Sequence, residues 1–455
     1  MATYYCATTG NDAAAGGILT PWKTIDHCMD HLAAGDTLNI RGGTYYETVY
    51  VYTSGSAGNI ITIQAYNNEP VVINGEYLLP EAGGGDPVYD DPDSIRVANS
   101  GATVLFEAAY ITLKNIGIRH SLGVGVGVGA ASHYVTLDGL VIAGTRNSGI
   151  TGVDADYLAI THCDISDYGN YAPYPRVGAY AAWPGGIALR RCDHSALTYN
   201  AVHEGWGEGI LPMDSDEVMI ADNVVYDSFA VNVYLDRCTN VDILRNTVYA
   251  TNRLPYLRGG DPMAGIVFTD ENYASAMRCS NINIINNLIY GCIGGIQWWQ
   301  GYWAESGVIN SIIAHNTIAQ CTHNGGDEAY GISIGAGAHA TSVVRNNLIY
   351  QPAHGLGLSE SGLTWDHNVW SSLPDASVRG TGDVNADPKL LLSGSVAAGL
   401  LARGYFVPRS DSPAIGAGVA QAEVPYDFDG RAWGTPPDCG AFGCYPAVRS
   451  KGRRR

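Results

Sequence analysis

A short pattern, Asn followed by a small apolar run, returns along the chain at intervals of one solenoid turn. It appears in DNVVY, RNTVY, NNLIY, HNTIA and HNVW. Asn115, Asn200, Asn223, Asn246, Asn287, Asn316, Asn347 and Asn368 take the leading place, and Gly139 and Cys163 hold it in two further repeats. The shortest spacings are 21 to 24 residues, and the longer ones contain insertions. A period of that size marks coils stacked one on the next. Asn tolerates a left-handed turn, and its amide reaches the Asn one coil away. The column therefore reads as a structural ladder.

Each repeat also carries a Gly-Ile-like strand, as in SGITGVDA, GGIALRRC, EGILPMDS, VNVYLDRC, AGIVFTDE, GGIQWWQG, YGISIGAG and HGLGLSES. Ile150, Ile187, Ile210, Val233, Ile266, Ile296, Ile332 and Leu356 then form one inward column, since side chains alternate along a strand. Tyr226, Tyr249, Tyr290 and Tyr350 form an aromatic column three residues after the ladder position. Before the coils, Trp22, Ile25, Cys28, Met29 and Leu32 fall at helical spacing, which predicts a short helix covering the open end of the stack. These patterns specify an all-β, right-handed parallel β-helix over residues 1–383, with its N-terminal cap within 1–40. Residues 384–455 are turn-rich and read as a closing segment with a basic tail.

Composition agrees: 46% of residues are hydrophobic and only 15% charged, which leaves no case for disorder. The net charge of −19 argues against nucleic acid or an anionic membrane as partner, and no apolar run is long enough to span a bilayer. A secreted or periplasmic location is expected, with an export signal already removed. The ten cysteines include no CxxC pair, so a zinc ribbon is not indicated. Cys238 with Cys279, and Cys292 with Cys321, should be neighbours on adjacent coils, either as disulfides or as stacked thiols. Cys439 and Cys444 are placed to close a small loop.

The segments DTLNIRGGTYYETV and NIITIQAY, with the closing DSPAIGAG and DFDGRAWGTPPDCGAFG, resemble secreted bacterial β-helix proteins of the pectate-lyase-like superfamily. Together with the coils, the resemblance covers most of the chain. It implies a carbohydrate-active β-helix and does not select one activity, because that superfamily contains lyases, glycoside hydrolases, epimerases and adhesins.

The insertions 167–184 and 251–264 both lead from the third strand of a coil into the Gly-Ile strand, with HEGWGE (203–208) between them. Long loops gathered on one side of a regular stack point to function there. In VNVYLD, period-two alternation turns Val231, Val233 and Leu235 inward and Asn232, Tyr234 and Asp236 outward. Glu271 ends the next strand, its Cα roughly 8 Å from that of Asp236, and Glu208 enters the strand one coil earlier. Paired carboxylates at such a separation suit glycoside hydrolysis. The catalytic candidates are thus Asp236, Glu271, Glu208 and Tyr234. His203, Glu204, Asn232, Trp206, Tyr256, Trp299, Trp303, Tyr180 and Trp183 are read as substrate-binding, the rings offering flat faces to sugars. Arg190 and Arg258 are read as recognising uronate carboxylates. No cofactor is required for hydrolysis. The alternative is a polysaccharide lyase with an Arg or Tyr base, and for it calcium at Asp214, Asp236 and Asp270 is conceivable. A non-catalytic glycan-binding protein is the third reading. In every case the expected partner is a poly- or oligosaccharide.

Overall fold

In a computed structural model, the protein is described over residues 1–75, 101–169, 184–271, 277–299, 301–322, 329–350, 357–359 and 362–444. Three long parallel sheets run the length of the solenoid, two of 13 strands and one of 11. Each coil contributes one strand to each sheet, and every strand pairs with its counterpart one coil away. The inward column of the 11-stranded sheet is in register from Ile150 through Ile187, Ile210, Val233, Ile266 and Ile296 to Ile332. In the last coil Ile332 pairs with Gly357, and Leu356 lies outside the described residues.

The Asn ladder is continuous from Asn200 to Asn368. Asn223 Oδ1 accepts the backbone N–H and the side-chain amide of Asn200, and the same pair of bonds links Asn246 to Asn223 and Asn287 to Asn246. Each amide also donates to a carbonyl of the preceding coil, for example Asn246 Nδ2 to Ile220 O at 2.8 Å. Cys163 starts the run by donating its N–H to Asn200, and Asp383 ends it by accepting from Asn368. The residue before each ladder Asn turns the corner in the left-handed region, with φ from 53° to 59° at Tyr199, Asp222, Arg245, Asn286, His315, Asn346 and His367. Asn115 and Gly139 belong to this turning column, while Ile116 and Leu140 stand level with Cys163, so the sequence alignment of the first two coils was one residue early. Asn246→Leu leaves the backbone N–H of Asn223 without its Asn246 acceptor and removes the amide donor to the Ile220 carbonyl. It should cost about 1–3 kcal/mol, read as a lower denaturation midpoint.

The expected N-terminal helix is short, Ile25–Met29, and with Trp22 and Leu32 it buries the predicted apolar face against the first coils. The C-terminal segment lies along the flank of the later coils. Phe406, Ala441 and Phe442 pack on Leu288 and Ala319, and Leu390, Ala414 and Cys439 pack on Leu348 and Val369. All ten cysteines are free thiols and nine are buried. Stacked thiols, not disulfides, are therefore the structural outcome, and Cys439 donates to the His367 carbonyl.

Candidate active site

Strands Gly185–Arg190, Glu208–Met213, Val231–Asp236, Ala264–Thr269 and Gly294–Trp298 form the middle of the 11-stranded sheet. Ala188, Leu211, Tyr234 and Val267 make an apolar cluster distinct from the core that contains Val233, Leu235, Ile266 and Phe268. Tyr234 thus stands on the outer face, as alternation predicts. Its hydroxyl donates to Glu271 Oε1 at 2.7 Å, and its ring lies 5.7 Å from that of Trp299. The doublet Trp298-Trp299 divides as a strand requires. Trp298 is buried against Phe268, while Trp299 is 38% exposed and donates its indole N–H to Gln297.

Asn232 corrects the reading of VNVYLD. It holds the place that glycine holds in the neighbouring coils, where a Cβ points at core side chains such as Val225. The Asn232 side chain is fully buried: its Oδ1 accepts from Ser228 N–H at 3.3 Å, and its amide donates to the Tyr249 carbonyl at 3.2 Å and faces Cys292 Sγ. Asn232 points inward near the start of its strand, and Val231, predicted inward, packs in the outer cluster with Tyr234 instead. The strand alternates strictly only from Val233 onward.

Asp236 is also corrected. It has no exposed surface, and both of its oxygens are engaged. Oδ1 accepts the Glu271 N–H at 3.0 Å, and Oδ2 accepts Arg237 Nη1 at 2.5 Å. Burial pushes its carboxyl up, while Arg237 and the Glu271 amide pull against that shift. The predicted closeness of Asp236 and Glu271 is present, but it is a backbone tie. Asp236 thus holds the Glu271 backbone and the Arg237 guanidinium and presents neither oxygen to solvent, contrary to the outward placement that alternation predicts.

Glu208 is 5% exposed, its Oε2 has no hydrogen-bond partner among the described residues, and burial raises its pKa to about 8. The Glu271 charge adds to that rise, and Arg258 opposes it. Glu208 thus combines a raised pKa with an electrostatic coupling to the second carboxyl, Glu271.

Other candidates fall into separate groups. Trp206 stacks on Phe229 at 4.8 Å and leans on Tyr256 at 6.3 Å. His203 lies on the third sheet, between Asp164 Oδ1 at 3.0 Å and Glu204 Oε2 at 2.9 Å, with its ring on Tyr226. Burial pulls the imidazole pKa down, but the two carboxylates outweigh it and raise it. Glu204 is paired with Arg253 as well. Arg190 lies against Asp214 at 3.6 Å, and Trp303 lies under the Arg278 guanidinium at 4.3 Å. Arg258 is exposed. Tyr180 and Trp183 lie outside the described residues.

The calcium candidates are engaged by protein groups, apart from the buried Asp270 Oδ2, which has no hydrogen-bond partner among the described residues. Asp214 presents both oxygens to Arg237, at 2.7 and 3.1 Å, and Asp270 uses Oδ1 to hold the Cys279 N–H at 2.7 Å. Sequence reading missed Arg237. The signal was present, because acidic and basic residues alternate at one corner of successive coils: Asp154, Arg191, Asp214, Arg237, Asp270.

The family profile described as Pel9A-like right-handed β-helix region matches residues 4–188, and that of the right-handed β-helix region matches 184–302. The chain is a right-handed parallel β-helix protein. This β-helix protein is 28% identical over 341 residues to the uncharacterized protein YwoF of Bacillus subtilis, across 69% of this chain and 68% of that one. A stretch of 94 residues is 36% identical to pectate lyase PEL9 of Emericella nidulans, which is 20% of this chain and 23% of the other. Among solved structures, pectate lyase Pel9A superposes with a TM-score of 0.54 at 16% identity, covering 98% of this chain and 97% of its own. A DFA-IIIase of Arthrobacter chlorophenolicus in complex with DFA-III gives 0.52 at 15% identity, covering 85% and 99%. At such identities the structures establish the fold. The two solved neighbours carry different activities in their own right, a pectate lyase and a DFA-IIIase, and the likeness to them is one of fold. Among the described residues, no helix is long and apolar enough to cross a membrane.

Proposed function

We propose that the protein hydrolyses glycosidic bonds of a poly- or oligosaccharide, with Glu208 as proton donor and Glu271 as nucleophile or water-activating base. The observation that carries this reading is the buried Glu208 carboxyl, whose Oε2 has no hydrogen-bond partner among the described residues and whose pKa burial raises to about 8, on the face that also holds Glu271. Glycoside cleavage needs one carboxyl to protonate the leaving oxygen and one carboxylate to attack or to activate water. Tyr234 fixes the Glu271 carboxylate by its hydroxyl, and Asp236 fixes the Glu271 backbone. Trp299, exposed beside Tyr234, offers a face to a sugar ring. Trp299→Ala should weaken binding, read as a KM raised several-fold, with kcat and the denaturation midpoint little changed.

The test is a panel of glycans assayed both for new reducing ends and for the ultraviolet absorbance of unsaturated products. Reducing ends without absorbance support hydrolysis. Absorbance together with reducing ends means β-elimination, and neither signal on any glycan points to a binder.

Elimination on a uronic-acid polymer is the second reading, favoured by the Pel9A-like match over residues 4–188. The Tyr234 hydroxyl is a poor base for it. Burial and the surrounding carboxylates hold its proton far above the usual phenol range, and that proton already serves Glu271. Arg258, exposed and close enough to affect Glu208, is the residue to test under that reading.

A further inference from the structure

The side chain of Arg237 is fully buried, which for a guanidinium demands complete pairing. Four oxygens surround it: both carboxylate oxygens of Asp214, Oδ2 of Asp236 at 2.5 Å, and the Glu271 carbonyl at 3.5 Å. A cage of carboxylate and carbonyl oxygens carrying two negative charges is what a hard divalent cation takes. Here a side chain of the chain itself occupies it. We infer that Arg237 is a built-in cation, standing where a calcium ion would otherwise bridge Asp214 and Asp236, so that this corner of the site is assembled without metal.

Three features support the assignment. Arg237 and Asp214 are corner residues one coil apart, both in the left-handed region, with φ of 52° and 49°. The backbone thus aims the two side chains along one column, and a planar fork meets a carboxylate side-on, a geometry that lysine cannot reproduce. The charge pattern repeats below, where Arg191 grips Asp154 in the same two-point manner. The link also reaches the candidate catalytic group. Arg237 holds Asp236, and Asp236 holds the N–H of Glu271. Arg237 is therefore a positioning residue, whether the bond is broken by hydrolysis or by elimination.

The experiment uses the full chain and does not need a substrate. Thermal midpoints and calorimetric titrations with CaCl₂ are recorded for the wild type, Arg237→Ala and Arg237→Lys, each also in EDTA. The wild type should melt identically in EDTA and in 10 mM CaCl₂ and give no saturable calcium isotherm. Arg237→Ala removes the guanidinium from the oxygen cage while Arg190 stays 3.6 Å from Asp214 Oδ2. It should melt several degrees lower in EDTA and recover most of that loss in CaCl₂, with a Kd on the order of 0.1–1 mM, but not in MgCl₂. If Arg237→Ala does not fold, Arg237→Lys carries the test, because it keeps one charge but frees part of the cage, and it should show a smaller rise with calcium. The inference is overturned if the wild type binds calcium saturably and is stabilised by it. It is equally overturned if a folded Arg237 variant shows no calcium response.

Discussion

Glu208→Gln should lower turnover on an unactivated glycan by about a hundredfold or more and, at pH 8, raise the denaturation midpoint. The two effects have one cause. Glu208 lies under almost complete cover, so its charged form is expensive and its pKa rises from 4.5 to about 8. A folded state that holds a proton more tightly than the unfolded chain is favoured by low pH. This contribution is fully present below about 4.5, declines between 4.5 and 8, and is gone above 8. Over that window it changes by roughly 1.4 kcal/mol per pH unit, before relaxation and water entry reduce it. Glutamine copies the shape of the protonated acid but does not ionise. The variant and the wild type should therefore melt together near pH 4.5 and separate progressively toward pH 8, where the variant is the more stable by several degrees.

The kinetic half then tests the assignment of role. A proton donor matters most when the leaving group is poor, so the Glu208→Gln deficit should shrink on glycosides with acidic leaving groups. Glu271→Gln should lose as much on every substrate, because nothing replaces the nucleophile or base. It should also lower the Glu208 pKa by removing a neighbouring charge, so that the melting-curve divergence still begins near pH 4.5 but levels off at a lower pH and a smaller size. A Glu208→Gln enzyme that turns over normally sinks the hydrolase mechanism, even if the stability effect appears as described.

The solenoid was legible because its repeat is written in side chains that can do only one job. The Asn at 200, 223, 246, 287, 316, 347 and 368 recurs because a buried left-handed corner leaves amides and carbonyls that only another amide of the right reach can satisfy. The Ile column recurs for the same reason of shape. The site was less legible because strand alternation is a statement about regular strands, and the face in question departs from alternation near its start and ends at a corner. Asn232 sits near the strand's start, in a column of glycines where a side chain turns inward, and Arg237 at the corner after it, where left-handed backbone lines charges up along the stack. Tyr234 and Trp299 lie in the regular stretch between or after them, and their outward direction was read correctly. Glu271 was placed near Asp236 by coil spacing. The ion pair that engages Asp236 depends on Arg237, which alternation alone assigns no role.

Asn232 makes that distinction measurable, because the two placements predict opposite outcomes. An outward Asn232 serving a sugar would, when changed to Ala, lose activity and keep its stability. The buried Asn232 should do the reverse. Its truncation leaves the Ser228 N–H and one lone pair of the Tyr249 carbonyl facing a small void between strands Val231–Asp236 and Thr247–Tyr249. Buried donors without acceptors cost about 1–3 kcal/mol each, so Asn232→Ala should destabilise by about 2–4 kcal/mol. Asn232→Gly matches the neighbouring coils in backbone preference but loses the same bonds, so it should gain nothing. Asn232→Asp should be worst at neutral pH, since it keeps the acceptor for Ser228 but places a charge against the Tyr249 carbonyl with no cation beside it. At a temperature where Asn232→Ala remains folded, its kcat and KM should stay within about twofold of the wild type, because no substrate-facing group has been removed. Loss of activity without loss of midpoint would return Asn232 to the substrate face and with it the simple alternation of the whole strand.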